Sequence, residues 1–217
     1  MKNKCAITFL AFLITQLVAA QHSHLWTTEE FEKNRQYEGY VVDLEGDTIF
    51  GFIQFEDRVS IQEEVHFFLE MSDKQTDTNY RPTDLLWYHF LDKTYQCINY
   101  SGGLSTKLIK GNLLIESNCI SKYVWFNDAE NRASIRKEAN ETMIDYLDRL
   151  YPSTEVYYNV KQRKAITLDY FLLSYEKRMS SFIRENAEIA TKVKTRERGY
   201  GSTDILEIFQ EYNETCR

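Results

Sequence analysis

GYVVDLEGDTIFGFIQF, residues 39–55, decides the fold. Apolar side chains recur at every second position on both sides of Glu45-Gly46, the period of a half-buried strand. Gly46 supplies the positive φ that a tight hairpin needs in its loop. With Glu45-Gly46 as a two-residue loop, Leu44 faces Asp47, Asp43 faces Thr48, Val42 faces Ile49 and Tyr40 faces Gly51. One face then carries Tyr40, Val42, Leu44, Ile49, Ile53 and Phe55, and Tyr40 covers the bare backbone of Gly51. Asp43, Glu45 and Asp47 are thereby turn residues. A calcium loop of the D-x-D-x-D-G type places its glycine after the third acid. Gly46 precedes Asp47, so no metal site is read here.

Strand-like runs continue downstream: EVHFFLEM (64–71), LLWYHF after the turn Arg81-Pro82-Thr83-Asp84, YQCINY after LDKT, LSTKLIKGNLLIES with Lys110-Gly111-Asn112 as a turn, CISKYVWFN and EVYYNVKQ. About six to eight short strands at this spacing predict an antiparallel sheet or a partly open barrel. Residues 128–150 are ambiguous: Ile135, Ala139, Met143, Tyr146, Leu147 and Leu150 have helical spacing inside a heavily charged segment. The end of the chain is helical. Leu172, Tyr175, Met179, Phe182 and Ile183 share one face, a second stretch runs through Ile189 and Val193, and GYGS breaks the chain. Asp204 is placed to cap a last helix, with Glu207 as its reciprocal partner and Ile205, Ile208, Phe209 and Tyr212 as its apolar stripe. The expected class is α+β: a β-rich domain over 38–165, with an insertion at 128–150, and a helical segment over 166–217 packed on it.

The first twenty residues carry Lys2 and Lys4, an apolar run from Ala6 and the small residues Val18 and Ala20 at −3 and −1. That is the pattern of a secretory signal peptide, and the run is shorter than the ~20 residues of a membrane span. Cleavage after Ala20 leaves 197 of 217 residues, begins the chain at Gln21 and takes the net charge from −7 to −9 with the loss of Lys2 and Lys4. A polar leader over 21–37 follows. So acidic a chain has no broad attraction for nucleic acid or anionic lipid. The basic stretch KVKTRERGY (192–200) reads as the solvated end of a helix. Cys97, Cys119 and Cys216 remain after cleavage. Cys97 and Cys119 both fall in strand-like runs and are the first choice for a disulfide; the alternative is three free buried thiols.

Motifs for chemistry are sparse. No G-x-S-x-G, H-E-x-x-H or P-loop occurs, and no cofactor or metal is implied. His22 and His24 lie beside the mature N-terminus, in reach of Cu or Ni, but read as part of a polar leader. His66 and His89 fall in strands, and a thiol–imidazole pair with Cys97 would need the fold to join them. The aromatic content is high, with 15 Tyr, 13 Phe and 3 Trp. Trp87, Tyr88, Tyr123, Trp125, Tyr157 and Tyr158 are candidates for an exposed binding surface, against the alternative that a β-rich core consumes them.

GYVVDLEGDTIFGFI resembles the opening of an uncharacterised family of exported proteins typical of Bacteroidetes, with the pattern G-Y-[IV]-V-x-x-x-G-D-T-[IL]-x-G-x-I. FIRENAEIATKVKTRERGYGSTDILEIFQEYN resembles that family's closing segment, and RPTDLLWY its middle, where Y-x-P-x-D-[IL] is usual and Arg81 departs from it. The resemblance implies export and an envelope role, since some relatives are joined to outer-membrane barrels. It carries no catalytic residue. The expectation is a non-catalytic protein of the periplasm or cell surface with an envelope protein or glycan as partner. A carbohydrate- or peptide-binding module is the alternative, and a hydrolase with a site assembled from scattered residues is the third.

Overall fold

The computed structural model describes residues 32–71, 78–100 and 108–216. The expected signal peptide, the leader to residue 31 and with it His22 and His24 lie outside the described residues. Among the described residues, ten strands form one sheet: β1 (Arg35–Asp43), β2 (Thr48–Phe55), β3 (Val65–Phe68), β4 (Thr78–Tyr80), β5 (Leu85–Phe90), β6 (Lys93–Tyr100), β7 (Leu108–Glu116), β8 (Ile120–Phe126), β9 (Ser153–Asn159) and β10 (Lys164–Ile166). Their order is β10-β9-β8-β7-β6-β5-β1-β2-β3-β4, antiparallel throughout this order, and β10 also meets β6 in parallel through Ala165 and Tyr100. β1 begins inside the expected leader, and Tyr37 is already buried.

The opening hairpin forms with a different register. Val42 pairs with Thr48, Val41 with Ile49, Tyr40 with Phe50 and Gly39 with Gly51. The loop is three residues long, Leu44-Glu45-Gly46. Gly46 N–H donates to Asp43 O at 3.2 Å, Asp47 N–H donates to Asp43 Oδ1 at 2.8 Å, and Gly46 has φ +92°. This is the longer hairpin loop that ends on a left-handed glycine. The extra loop residue inverts the face of β1 and leaves that of β2 as expected. Tyr37 and Val41 therefore join Ile53 and Phe55 in the core, while Leu44 is 56% exposed and Tyr40 and Val42 lie on the opposite face. The three carboxylates remain turn residues.

Lys110-Gly111-Asn112 is not a turn. β7 runs through it, with Gly111 opposite Cys97. A Cβ at Gly111 would fall on the Tyr88 hydroxyl, so the glycine makes room for a ring that crosses β7. Tyr88 stacks on Tyr95 at 4.7 Å in the largest core, among Val41, Ile53, Phe67, Phe90, Leu113, Val124 and Phe126. We call this the first face of the sheet.

A short helix, α1 (Ser60–Glu63), closes this core. Gln62, fully buried, pairs with the backbone of Phe126 as a strand would: its Nε2 donates to Phe126 O at 2.9 Å and its Oε1 accepts from Phe126 N–H at 2.7 Å. The 128–150 insertion lies over the same core. Its helix α2 (Met143–Leu150) and the 3-10 turn before it pack Ile135, Tyr146, Leu147 and Leu150 there. Asp148 holds the buried guanidinium of Arg58 at 2.6 Å.

The C-terminal segment folds into α3 (Tyr175–Phe182), α4 (Ala187–Lys194) and α5 (Ile205–Thr215). They bury Met179, Phe182, Ile189, Val193, Ile208, Phe209 and Tyr212 against Ile120, Tyr157 and Ile166 of the sheet. Leu172 precedes α3 and is exposed instead of joining its apolar face. Asp204 precedes α5 without capping it through its side chain; its Oδ2 accepts from Gly201 N–H at 2.9 Å. The disulfide joins Cys119 to Cys216, with Cα atoms 6.3 Å apart, and Cys97 is free. The expected Cys97–Cys119 bridge fails on geometry. β7 stands between β6 and β8, which sets their backbones about 9–10 Å apart, beyond the roughly 7 Å at which a bridge closes.

Candidate binding face

Directly opposed residues in a sheet share a face, so the pairing sorts the aromatic candidates. Tyr88 lies opposite Tyr95 and Val41 on the first face. Tyr157, opposite Ile166, turns toward the helices, its ring 5.1 Å from Phe209. Both are core residues. Burial raises the hydroxyl pKa of both, Tyr88 well above its ordinary value, so neither ionises near neutrality.

The other four share the second face. Trp87 lies opposite Val42 and Gln96, Tyr123 opposite Leu114 and Val156, Trp125 opposite Thr154, and Tyr158 opposite Ala165. This face has two halves. Over β6–β10 the sheet curls until β10 meets β6, and Tyr123, Ile98, Val156 and Ala165 bury one another inside the curl, with Trp125, Tyr158 and Leu114 packed against them. Tyr123 donates its hydroxyl to Gln96 Oε1, and burial pushes its pKa up to about 12.

Over β2, β1 and β5 the second face lies open. Its residues are Phe50 and Phe52 on β2, Tyr40 and Val42 on β1, and Trp87 and His89 on β5. Phe50 is 73% exposed, and the others are half-buried. Tyr40 stacks on the His89 ring at 5.1 Å and 18°, and its other neighbour is Phe50 at 5.8 Å and 60°. Thr94 Oγ1, 2.8 Å from His89 Nδ1, holds the imidazole in place. Exposed aromatic area of this kind marks interaction surfaces. The assumed hairpin register turned Tyr40 toward the core, Phe50 was not singled out, and His89 was weighed only as a partner for Cys97; of the six candidates, Trp87 alone reaches the open half.

The ingredients of a hydrolytic site are kept apart. Cys97 packs against the first-face core, and burial raises its thiol pKa to about 12. His89 is on the second face, so the sheet separates the pair. His66 lies in β3, with Glu56 Oε1 3.4 Å from Nδ1 and Glu64 Oε2 3.3 Å from Nε2. It lines a hollow of about 190 Å³ with Gln54, Ser60 and Glu63. Among the described residues no group of His, Cys, Asp and Glu is arranged to hold a metal ion, and no helix is long and apolar enough to cross a membrane. No family model, curated protein or solved structure matches the chain.

Proposed function

We propose that the chain is a non-catalytic, exported interaction protein that engages a protein partner through the open second face of β2, β1 and β5. The observation that carries this reading is the aromatic row Phe50, Tyr40, His89 and Trp87 on one face of the sheet, with Phe50 exposed. Ring orientation favours a protein over a glycan. Sugars stack on ring faces open to solvent, whereas Tyr40 and His89 each turn one face toward the other. Clustered Tyr and Trp side chains are the residues enriched at the energetic centre of protein interfaces. Export is supported by the N-terminal pattern, by the likeness to an exported family and by the Cys119–Cys216 bridge, which suits an oxidising compartment.

Photo-crosslinking from position 48, beside Phe50, in envelope extracts tests the interaction. A discrete adduct lost in Phe50→Ser and Trp87→Ala is the expected result. An adduct pattern unchanged by both substitutions overturns the assignment of the face. Mass spectrometry of the native protein should find a chain starting at Gln21; an intact Met1 in the envelope fraction overturns export by signal cleavage.

A further inference from the structure

At the other end of the molecule, α3 and α4 frame a groove of about 550 Å³ lined by Glu176, Lys177, Ser180, Ser181, Arg184 and Lys194. Lys177, Ser180 and Ser181 occupy positions i, i+3 and i+4 of α3 and so share one helix face. Arg184 follows the end of α3, and Lys194 ends α4.

The charge in this groove is unbalanced. Its one acid, Glu176, is taken by Arg196 at 2.6 Å. Arg184 has only its neighbour Glu185, at 3.2 Å. Lys177 and Lys194 make no side-chain hydrogen bond or ion pair among the described residues. Lys192, half a turn before Lys194, shows the contrast: it is held by Glu188 at 2.9 Å and Glu211 at 3.3 Å. With 33 acids against 26 Lys and Arg, this chain has carboxylates to spare, yet Lys177 and Lys194 line this concavity without one among the described residues, beside an Arg184 held by a single exposed contact. Ser180 is buried in the groove, its hydroxyl in only a long 3.4 Å contact with Lys177 O, and the exposed Ser181 hydroxyl is unengaged among the described residues.

From this arrangement we infer that the groove binds a phosphate group. Three cations and two hydroxyls offer more donors than the two oxygens of a carboxylate can use. A phosphate monoester brings three acceptor oxygens and about −1.5 to −2 of charge. The source is a soluble phosphate monoester or the monoester headgroup of phosphatidic acid. Leu172 and Leu173, 81% and 69% exposed and five and four residues before Lys177 in the chain, are the apolar pair a lipid surface would take up. This inference is independent of the second-face reading.

The test uses the full mature chain with two probes: inorganic phosphate by calorimetry, and vesicles containing phosphatidic acid, with phosphatidylcholine controls, by co-sedimentation. Lys177→Gln/Lys194→Gln should weaken binding roughly ten-fold, the worth of two exposed charge contacts. Lys161→Gln, an exposed lysine elsewhere, should not. Vesicle binding abolished by Leu172→Ser/Leu173→Ser assigns the lipid source; phosphate binding without vesicle binding assigns the soluble one. The inference is overturned if neither probe binds at millimolar concentration. It is equally overturned if the double variant, melting like the unmodified chain, binds as tightly, or if Lys161→Gln weakens binding as much.

Discussion

Removing the Gln62 amide should destabilise the protein more than any surface change. Gln62 is fully buried and satisfies both the N–H and the C=O of Phe126 through one side chain, at 2.7 and 2.9 Å. Without the amide, two backbone groups beneath α1 lose their partners. Each buried unsatisfied group costs about 1–3 kcal/mol, so the pair amounts to about 2–6 kcal/mol, against a typical total stability of 5–15 kcal/mol. Gln62→Met keeps most of the volume and removes both bonds, which separates the hydrogen-bond loss from a cavity. Gln62→Ala adds the cavity and should lose more. Urea unfolding followed by tryptophan fluorescence measures both. With an m value of about 2 kcal/mol/M, a loss of about 3 kcal/mol moves the midpoint down by roughly 1.5 M. A Gln62→Met protein with the midpoint of the unmodified chain would refute the claim that this side chain stands in for a strand.

Gly111→Ala should destabilise by about 1–3 kcal/mol, the range for overpacking, because its methyl group meets the Tyr88 hydroxyl, and Tyr88→Phe should restore part of the loss in the same melt. Cys216→Ser should lower stability by about 2–5 kcal/mol and remove the mobility difference between oxidised and reduced protein on a gel, while Cys97→Ser leaves that difference intact. Phe209→Ala should cost about 3–5 kcal/mol, since the ring packs among Tyr157, Phe171 and Phe182, and a chain ending at Gly201 should be readily proteolysed; a truncated chain that melts like the full one would make α5 a detachable tail.

The class of fold was legible because strand period and helical stripes are local signals. Ile208, Phe209 and Tyr212 are buried as their spacing requires, and Ile53 and Phe55 lie on the core face of β2 as expected. What failed depended on one residue or on distant neighbours. A two-residue and a three-residue loop fit Asp43–Asp47 equally well by composition, and the choice inverts β1. Gly111 looks like a turn glycine until the Tyr88 ring from β5 is seen to need its place. The Cys119–Cys216 bridge joins residues 97 apart, a pairing set by where α5 docks and not by anything near either cysteine. α5 docks there through Asn213, whose Oδ1 accepts from Ile120 N–H at 2.7 Å and whose Nδ2 donates to Ile120 O at 3.1 Å. This repeats at one end of β8 what Gln62 does at the other.

The proposed binding face was illegible for a related reason. Alternation identifies a core face only where the other face meets water. β8 has no such side: Val124 and Phe126 enter the first-face core, Tyr123 the curl, and Ile120 the helical cluster, so buried residues succeed one another along the strand. Its aromatics therefore resemble a surface set while being interior. On β1 and β2 the opposite holds. Tyr40, Phe50 and Phe52 are aromatic like core residues, yet they stand on the open side, because the core beneath them is already filled by Tyr37, Val41, Ile53 and Phe55. Large apolar side chains kept on a face that the packing does not need are the physical basis for placing the interaction surface there. Phe50→Ser should for that reason leave the melting temperature almost unchanged while weakening partner capture. A melt lowered as far as in Phe209→Ala would mean that Phe50 is part of the fold and not of a binding face.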